Sequence, residues 1–236
     1  MPLEPVEIDD RLSVHRLRTG GDRLVAVFKP VHGEISGPKT RGAFIKALTA
    51  DPRNSLIVFG DPQNSWFAKA PLPDRIAGHV RAEAAAIGAT EIVSFGSSMG
   101  GYGAIMLAAH MPLDGVVAFS PRYSPDDAVL PDPRRVEMRA PHAPFDVPTV
   151  EPGLAASPFT LVIHGLNEFD TPHVERFPSL PGMHHYLIRN APHNIARRLM
   201  RKGVLEDLIA AALKRDISDV DALLETARAR RREMAS

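Results

Sequence analysis

Six short apolar runs recur along the chain, and the stretches between them carry the spacing of amphipathic helices: Leu24–Phe28 (LVAVF), Leu56–Phe59 (LIVF), Ile92–Phe95 (IVSF), Val116–Phe119 (VVAF), Phe159–Ile163 (FTLVI) and Tyr186–Ile188 (YLI). Continuous apolar runs, rather than alternating ones, are what strands buried on both faces require. Such strands interleaved with helices predict an α/β chain with a mostly parallel central sheet flanked by helices. Leu12–Leu17 alternates weakly and predicts an edge strand. At 236 residues, the chain is long enough to bury such a core as one domain, spanning 1–236.

The predicted helices have readable ends. Asp74, after Pro73, is placed to cap a helix on Ile76, Val80, Ala84 and Ile87, with Gly88 as its stop. A second helix runs from about Met99 to His110, and Pro112 forbids its continuation. Ile195 to Lys214 is helical by period, with an interruption at Gly203. Ser218-Asp219-Val220-Asp221 has the form of a capping box opening a terminal helix on Val220, Leu223, Leu224 and Ala227. The basic run Arg228 to Arg232 suits the negative pole of that helix and reads as a solvated helix end rather than a nucleic-acid patch. One segment breaks the alternation. Ser120 to Ser157 carries eight prolines and little periodicity, and a long irregular stretch inside a compact domain is usually functional or disordered.

Composition excludes several classes of function. The 28 basic and 28 acidic side chains cancel, so no global field draws nucleic acid or an anionic membrane. With no cysteine, a thiol nucleophile, a thiolate metal site and a disulfide framework are all ruled out. The start, MPLEPVEIDDRL, is acidic where a secretory signal needs positive charge and then an apolar run, and no stretch has the apolar length of a membrane span. These features predict a cytoplasmic protein. No H-E-x-x-H, P-loop or early G-x-G-x-x-G is present, so neither cofactor nor metal is expected. His184 and His185 with His193 or His173 could make a zinc cluster, but strand and surface positions explain those histidines better. The expected partner is a small-molecule substrate, with nothing in the sequence to set the oligomeric state.

Chemistry concentrates at Gly96-Ser97-Ser98-Met99-Gly100-Gly101, between the IVSF run and the helix beginning near Met99. A G-x-S-x-G motif gains meaning in this strand–turn–helix context, where the turn is too sharp for side chains at the flanking positions. The turn lifts the serine hydroxyl to a helix N-terminus, whose free N–H groups favour a developing negative charge. Ser97 is the rival nucleophile but lacks the paired glycine spacing, so Ser98 is favoured. Serine needs a base. His193, in Asn190-Ala191-Pro192-His193-Asn194, lies in the loop after the last apolar run and before a helix. The acid that fixes the imidazole tautomer is then sought after FTLVI, where Glu168 and Asp170 both stand. Spacing from Gly165 speaks for Glu168. The shorter Asp170, followed by His173, is preferred.

The GSSMGGYGA stretch, the order Ser98…Asp170/Glu168…His193 and the strand–helix alternation resemble the α/β-hydrolase superfamily over roughly Arg23 to Lys202. Asp61-Pro62-Gln63-Asn64-Ser65-Trp66-Phe67, FDTPHVERF and APHNIARRL are similar to a small bacterial branch of serine hydrolases and esterases. The resemblance implies two oxyanion donors, the N–H of Met99 and one from Lys29-Pro30-Val31-His32-Gly33. Pro30 has no N–H, and Val31 occupies the usual donor position, in a loop that departs from the H-G-G-G pattern of many esterases. His32 reads as a loop or substrate-side residue. The implied activity is hydrolysis of an ester or thioester through an acyl-enzyme on Ser98, with acyl transfer or a non-catalytic binding module as alternatives. The segment 120–157 falls where this fold inserts its lid, and Phe145 or Met138, its bulkiest apolar members, are expected to face the acyl group.

Overall fold

The structure is a computed structural model and describes residues 3–31 and 38–232, with the side chains of 38–43 outside that description. His32 and Gly33 lie outside the described residues. Among the described residues nine strands form one sheet: β1 (Glu4–Ile8), β2 (Ser13–Leu17), β3 (Arg23–Phe28), β4 (Asn54–Gly60), β5 (Glu91–Ser97), β6 (Gly115–Phe119), β7 (Thr160–Leu166), β8 (Met183–Arg189) and β9 (Ala229–Arg231). Their spatial order is β1-β2-β4-β3-β5-β6-β7-β8-β9. Strands β3 to β8 are mutually parallel, while β2 runs antiparallel to both β1 and β4, and β9 antiparallel to β8. All six expected apolar runs lie in this sheet, and so does the segment 12–17 expected as an edge strand, but β2 is not an edge: β1 pairs with its outer side and takes that place.

Every residue of β3, β4 and β6 is buried, because helices cover both faces of the sheet. Side chains alternate between faces along a strand. Leu24, Ala26 and Phe28 of β3 therefore join one core with α2 (Leu72–Ile87) and α3 (Met99–Leu107). Val25 and Val27 join the other, with Phe44 of α1 (Pro38–Ala50) and the C-terminal helices. The segment 120–157 is mostly irregular but contains α4 (Val136–Arg139) and α5 (Glu151–Ala156). It is followed by α6 (Thr171–Arg176), α7 (Ile195–Arg201), α8 (Leu205–Lys214) and α9 (Ile217–Thr226). Among the described residues no helix is long and apolar enough to cross a membrane.

Several boundaries differ from the sequence reading. Helix α2 begins two residues before Asp74, which sits in the first turn and makes no cap bond, whereas Gly88 ends the helix in the left-handed conformation as expected. The break at Gly203 separates α7 from α8. Asp216, not Ser218, caps α9, its carboxylate accepting from the Asp219 N–H at 3.1 Å. The basic run after α9 is not a helix end: the backbone turns at Arg228 and residues 229–231 pair with the outer edge of β8. An open strand edge offers unpaired backbone groups, and that pairing outweighs a few tenths of a kcal/mol from a helix dipole.

Candidate active site

The parallel strands β5, β7 and β8 end on the same edge of the sheet, and the residues just beyond those ends converge. Ser98 stands in the turn between β5 and α3 with φ 57° and ψ −121°. That backbone region is costly for a side chain by roughly 1–3 kcal/mol, and the surroundings enforce it. A Cβ on Gly96 would overlap the Gly100 carbonyl, and one on Gly100 would overlap the Phe28 carbonyl, so only glycines let the turn close against β3. Met99 opens α3, so its N–H belongs to the first turn, whose donors have no partner within the helix.

Ser98 Oγ lies 2.8 Å from His193 Nε2, and His193 Nδ1 lies 2.9 and 3.1 Å from the two oxygens of Asp170. Of the two candidate acids the structure brings Asp170 to the imidazole, while Glu168 is exposed and makes no bond to it. Asp170 stands at the N-cap position of α6 but makes no cap bond, because its carboxylate is committed elsewhere. Besides His193 it accepts from Arg134 Nη1 at 2.8 Å and Asn167 Nδ2 at 2.7 Å. Burial opposes its ionisation, but the bonds and charges of His193, Asn167 and Arg134 outweigh burial and hold its carboxyl well below the usual range. His193 keeps a third of its side chain exposed to solvent. Asn194, beside it, caps α7 by accepting from the Arg197 N–H.

These groups open into a cleft of about 270 Å³, whose described lining includes Val31, Trp66, Ser97, Arg122, Arg134 and Arg135 besides Ser98 and His193. Val31, half-buried, is thus at the site, as its assignment to oxyanion binding requires. Trp66 belongs to the loop between β4 and α2, where Asn64, Trp66 and Phe67 all take positive φ. Asp61 holds that loop, accepting from Ser65 Oγ at 3.0 Å and from the Phe67 N–H at 3.1 Å.

Segment 120–157 supplies the arginines. Beneath them lies Asp132, 4% exposed, with Arg122 Nη2 at 3.1 Å, Arg134 Nη2 at 2.7 Å and His173 Nε2 at 3.1 Å. Burial works against its charge too, yet His173, Arg134 and Arg122 together drive the pKa of Asp132 far down. Burial pushes Arg122 down to about 10, which leaves it charged at neutral pH. His164, within β7, sits with Nε2 2.7 Å from the Pro121 carbonyl and Nδ1 2.8 Å from His185 Nε2. Burial lowers His164 to about 4, so the neutral ring donates to Pro121 and accepts from His185.

The remaining histidines of the sequence reading are spoken for: His173 by Asp132, and His184 by Arg231 and the ring of Phe159. Among the described residues no three His, Asp or Glu side chains are grouped to hold a metal ion. The bulky apolar residues expected at the acyl group do not line the cleft. Phe145 is buried, edge-on to Trp66, and Met138 is half-buried beside Arg135. Burying a large side chain fully is worth about 1.5–3 kcal/mol, more than an open cleft returns. Arg122, Arg134, Asp132 and Asn167 escaped the sequence reading. Asn167 lay inside the loop already singled out, but no local pattern marks the others.

Neither a family model nor a curated protein sequence matches this chain. Solved structures do resemble it. An esterase of Pyrococcus furiosus is 15% identical with a TM-score of 0.62, over 91% of each chain. Est1E of Butyrivibrio proteoclasticus is 13% identical with a TM-score of 0.59, over 93% of this chain and 99% of the other. The capsule O-acetyltransferase of Neisseria meningitidis serogroup A is 12% identical with a TM-score of 0.56, over 86% and 94%. The chain has the α/β-hydrolase fold.

Proposed function

We propose that this α/β-hydrolase-fold chain is a serine hydrolase that cleaves small carboxylic esters or thioesters through an acyl-enzyme on Ser98. The observation that carries this reading is the unbroken chain from Ser98 Oγ to His193 Nε2 and from His193 Nδ1 to Asp170, at 2.8 and 2.9 Å. A serine, a histidine and a carboxylate in that order form a general-base relay.

In the first half-reaction Ser98 Oγ bonds to the carbonyl carbon while its proton passes to His193 Nε2. The carbonyl oxygen takes up the charge, facing the N–H of Met99 at the head of α3 and that of Val31. The tetrahedral intermediate then expels the alcohol or thiol, which receives the proton back from His193. In the second half-reaction His193 deprotonates water, which attacks the acyl-enzyme. Collapse releases the acid, and Ser98 recovers its proton. Asp170 stays ionised throughout, accepts from His193 Nδ1–H and stabilises the imidazolium. Its depressed pKa supports that role.

The cleft volume suits a small acyl group. Acyl transfer to an alcohol would run through the same intermediate, as the name of the Neisseria enzyme illustrates. The solvent exposure of His193 favours water as acceptor. Labelling with a fluorophosphonate probe, followed by turnover of esters of graded length, tests the reading. Ser98→Ala should abolish labelling with the fold intact, and Ser97→Ala should leave it in place. Undiminished labelling of Ser98→Ala would sink the assignment.

A further inference from the structure

The cleft beside Ser98 is lined by three arginines, and no carboxylate is among its described lining residues, in a chain whose net charge is zero. The arginines are not equally employed. Arg134 is engaged through all three of its nitrogens by Asp132, Asp170 and the Phe169 carbonyl. Arg122, 5% exposed, directs Nη2 toward Asp132, but its Nη1 has no hydrogen-bond partner among the described residues. Arg135 is exposed, sits in the left-handed region at φ 56° and approaches the Met138 sulfur at 4.0 Å.

A second buried donor stands next to the first. Trp66 is 1% exposed, its Nε1 has no acceptor among the described residues, and the Arg122 guanidinium lies over its ring at 5.6 Å. Guanidinium and indole nitrogens only donate. A buried donor left unsatisfied is costly, and two adjacent ones, on residues that line one cleft, match a ligand that brings only acceptors. Both are held in place. His164 grips the carbonyl of Pro121, next to Arg122, and Asp61 braces the strained loop carrying Trp66. A purely structural role for Arg122, closing its pair with Asp132, leaves Nη1, Trp66 Nε1 and Arg135 unexplained. Past Asn194 an adjoining groove is lined by Arg197, Arg198, Arg201 and Lys202, so that approach is cationic as well.

We infer that Arg122 and Trp66, with Arg135 at the rim, bind an anionic group of the substrate, making the preferred esters ones that carry a carboxylate or phosphate near the scissile carbonyl. This rests on the hydrolase reading of Ser98 and names its substrate class. The anion would replace the missing acceptors of Arg122 Nη1 and Trp66 Nε1 and set the carbonyl over Ser98.

Three matched pairs of esters test it on the intact protein. Aryl hemisuccinates against aryl methyl succinates put a carboxylate on the acyl side. 4-Acetoxybenzoate against its methyl ester puts one on the leaving group. 4-Acetoxyphenyl phosphate against its dimethyl ester replaces carboxylate by phosphate. At least one anionic member should show kcat/KM about 10- to 100-fold above its neutral partner, as charge-assisted hydrogen bonds confer, with the preference shrinking in added salt. Arg122→Met should bring that ratio toward one, and Arg135→Gln should reduce it less. Should Arg122→Met fail to fold, the wild-type ratios and Arg135→Gln still decide. Fluorophosphonate labelling of Ser98 with no anionic preference in any pair, or a preference untouched by Arg122→Met, would overturn the inference while leaving the hydrolase reading standing. Absence of labelling would overturn the hydrolase reading itself.

Discussion

One wall of the cleft hangs from strand ends, whereas the other is tied together by buried ions. Ser98 follows β5 directly, Asp170 comes four residues after β7, and His193 four residues after β8. The backbone ladder of a parallel sheet sets where those turns lie, which is why open α/β sheets bind ligands beyond the carboxyl ends of their strands. Segment 120–157 has no such ladder. Asp132 gathers Arg122, Arg134 and His173, and Arg139 bonds the Asp132 and Arg134 carbonyls and the Asp127 carboxylate. Tyr102 reaches across from α3 to donate to the Val147 carbonyl. On the proposed reading, the sheet-borne wall does the chemistry and the ion-tied wall selects the substrate. Residues of the first should then matter chiefly to rate, and those of the second also to stability.

The largest expected effect sharpens the first half of that contrast. Asp170→Asn should lower turnover by roughly 10⁴, the cost of neutralising a triad acid in place, whereas Glu168→Gln should change it less than about threefold. Steady-state kinetics on both variants checks this, and a comparable loss for Glu168→Gln would reassign the acid. For the second wall, Asp132→Asn should destabilise the fold by about 3 kcal/mol, since it leaves Arg122 and Arg134 without their buried partner. It should also change the response to acid. Asp132 and Asp170 both have pKa values below those of the unfolded chain. Their contribution is complete above about pH 4 and is lost as pH falls below it. Urea unfolding between pH 7 and pH 3 should therefore fall off less steeply in Asp132→Asn than in the wild type. Parallel pH profiles would break the comparison.

Phe145→Ala should cost about 3 kcal/mol by opening a cavity against Trp66, while the order of preference among acyl lengths stays as in the wild type. A changed order would put Phe145 back at the acyl group. The smallest effect belongs to Ser97→Ala, expected within about 0.5 kcal/mol of wild-type stability. Thermal unfolding measures it, and a larger loss would mean that the half-exposed Ser97 carries structure the cleft depends on.

The strand–helix alternation, the parallel sheet, the turn at Ser98 and the place of His193 were all legible in the chain, because each is a local consequence of local chemistry. Buried strands need continuous apolar runs, and a turn this tight needs Gly96 and Gly100. The acid was legible only as a pair: Glu168 and Asp170 are two residues apart in one loop, and only the folded loop turns one toward the imidazole and the other toward water. The short strands β1 and β9 lacked a strong apolar run, since an edge strand is held by backbone bonds to its neighbour and its side chains need not be apolar. The arginine wall was decided wholly by tertiary structure. Arg122 and Arg134 are ordinary basic residues in a proline-rich stretch. Their meaning comes from Asp132 in the same stretch and from Asp170 and His173, brought alongside by chain packing, and a charge is tolerated in a protein interior only where such partners are supplied.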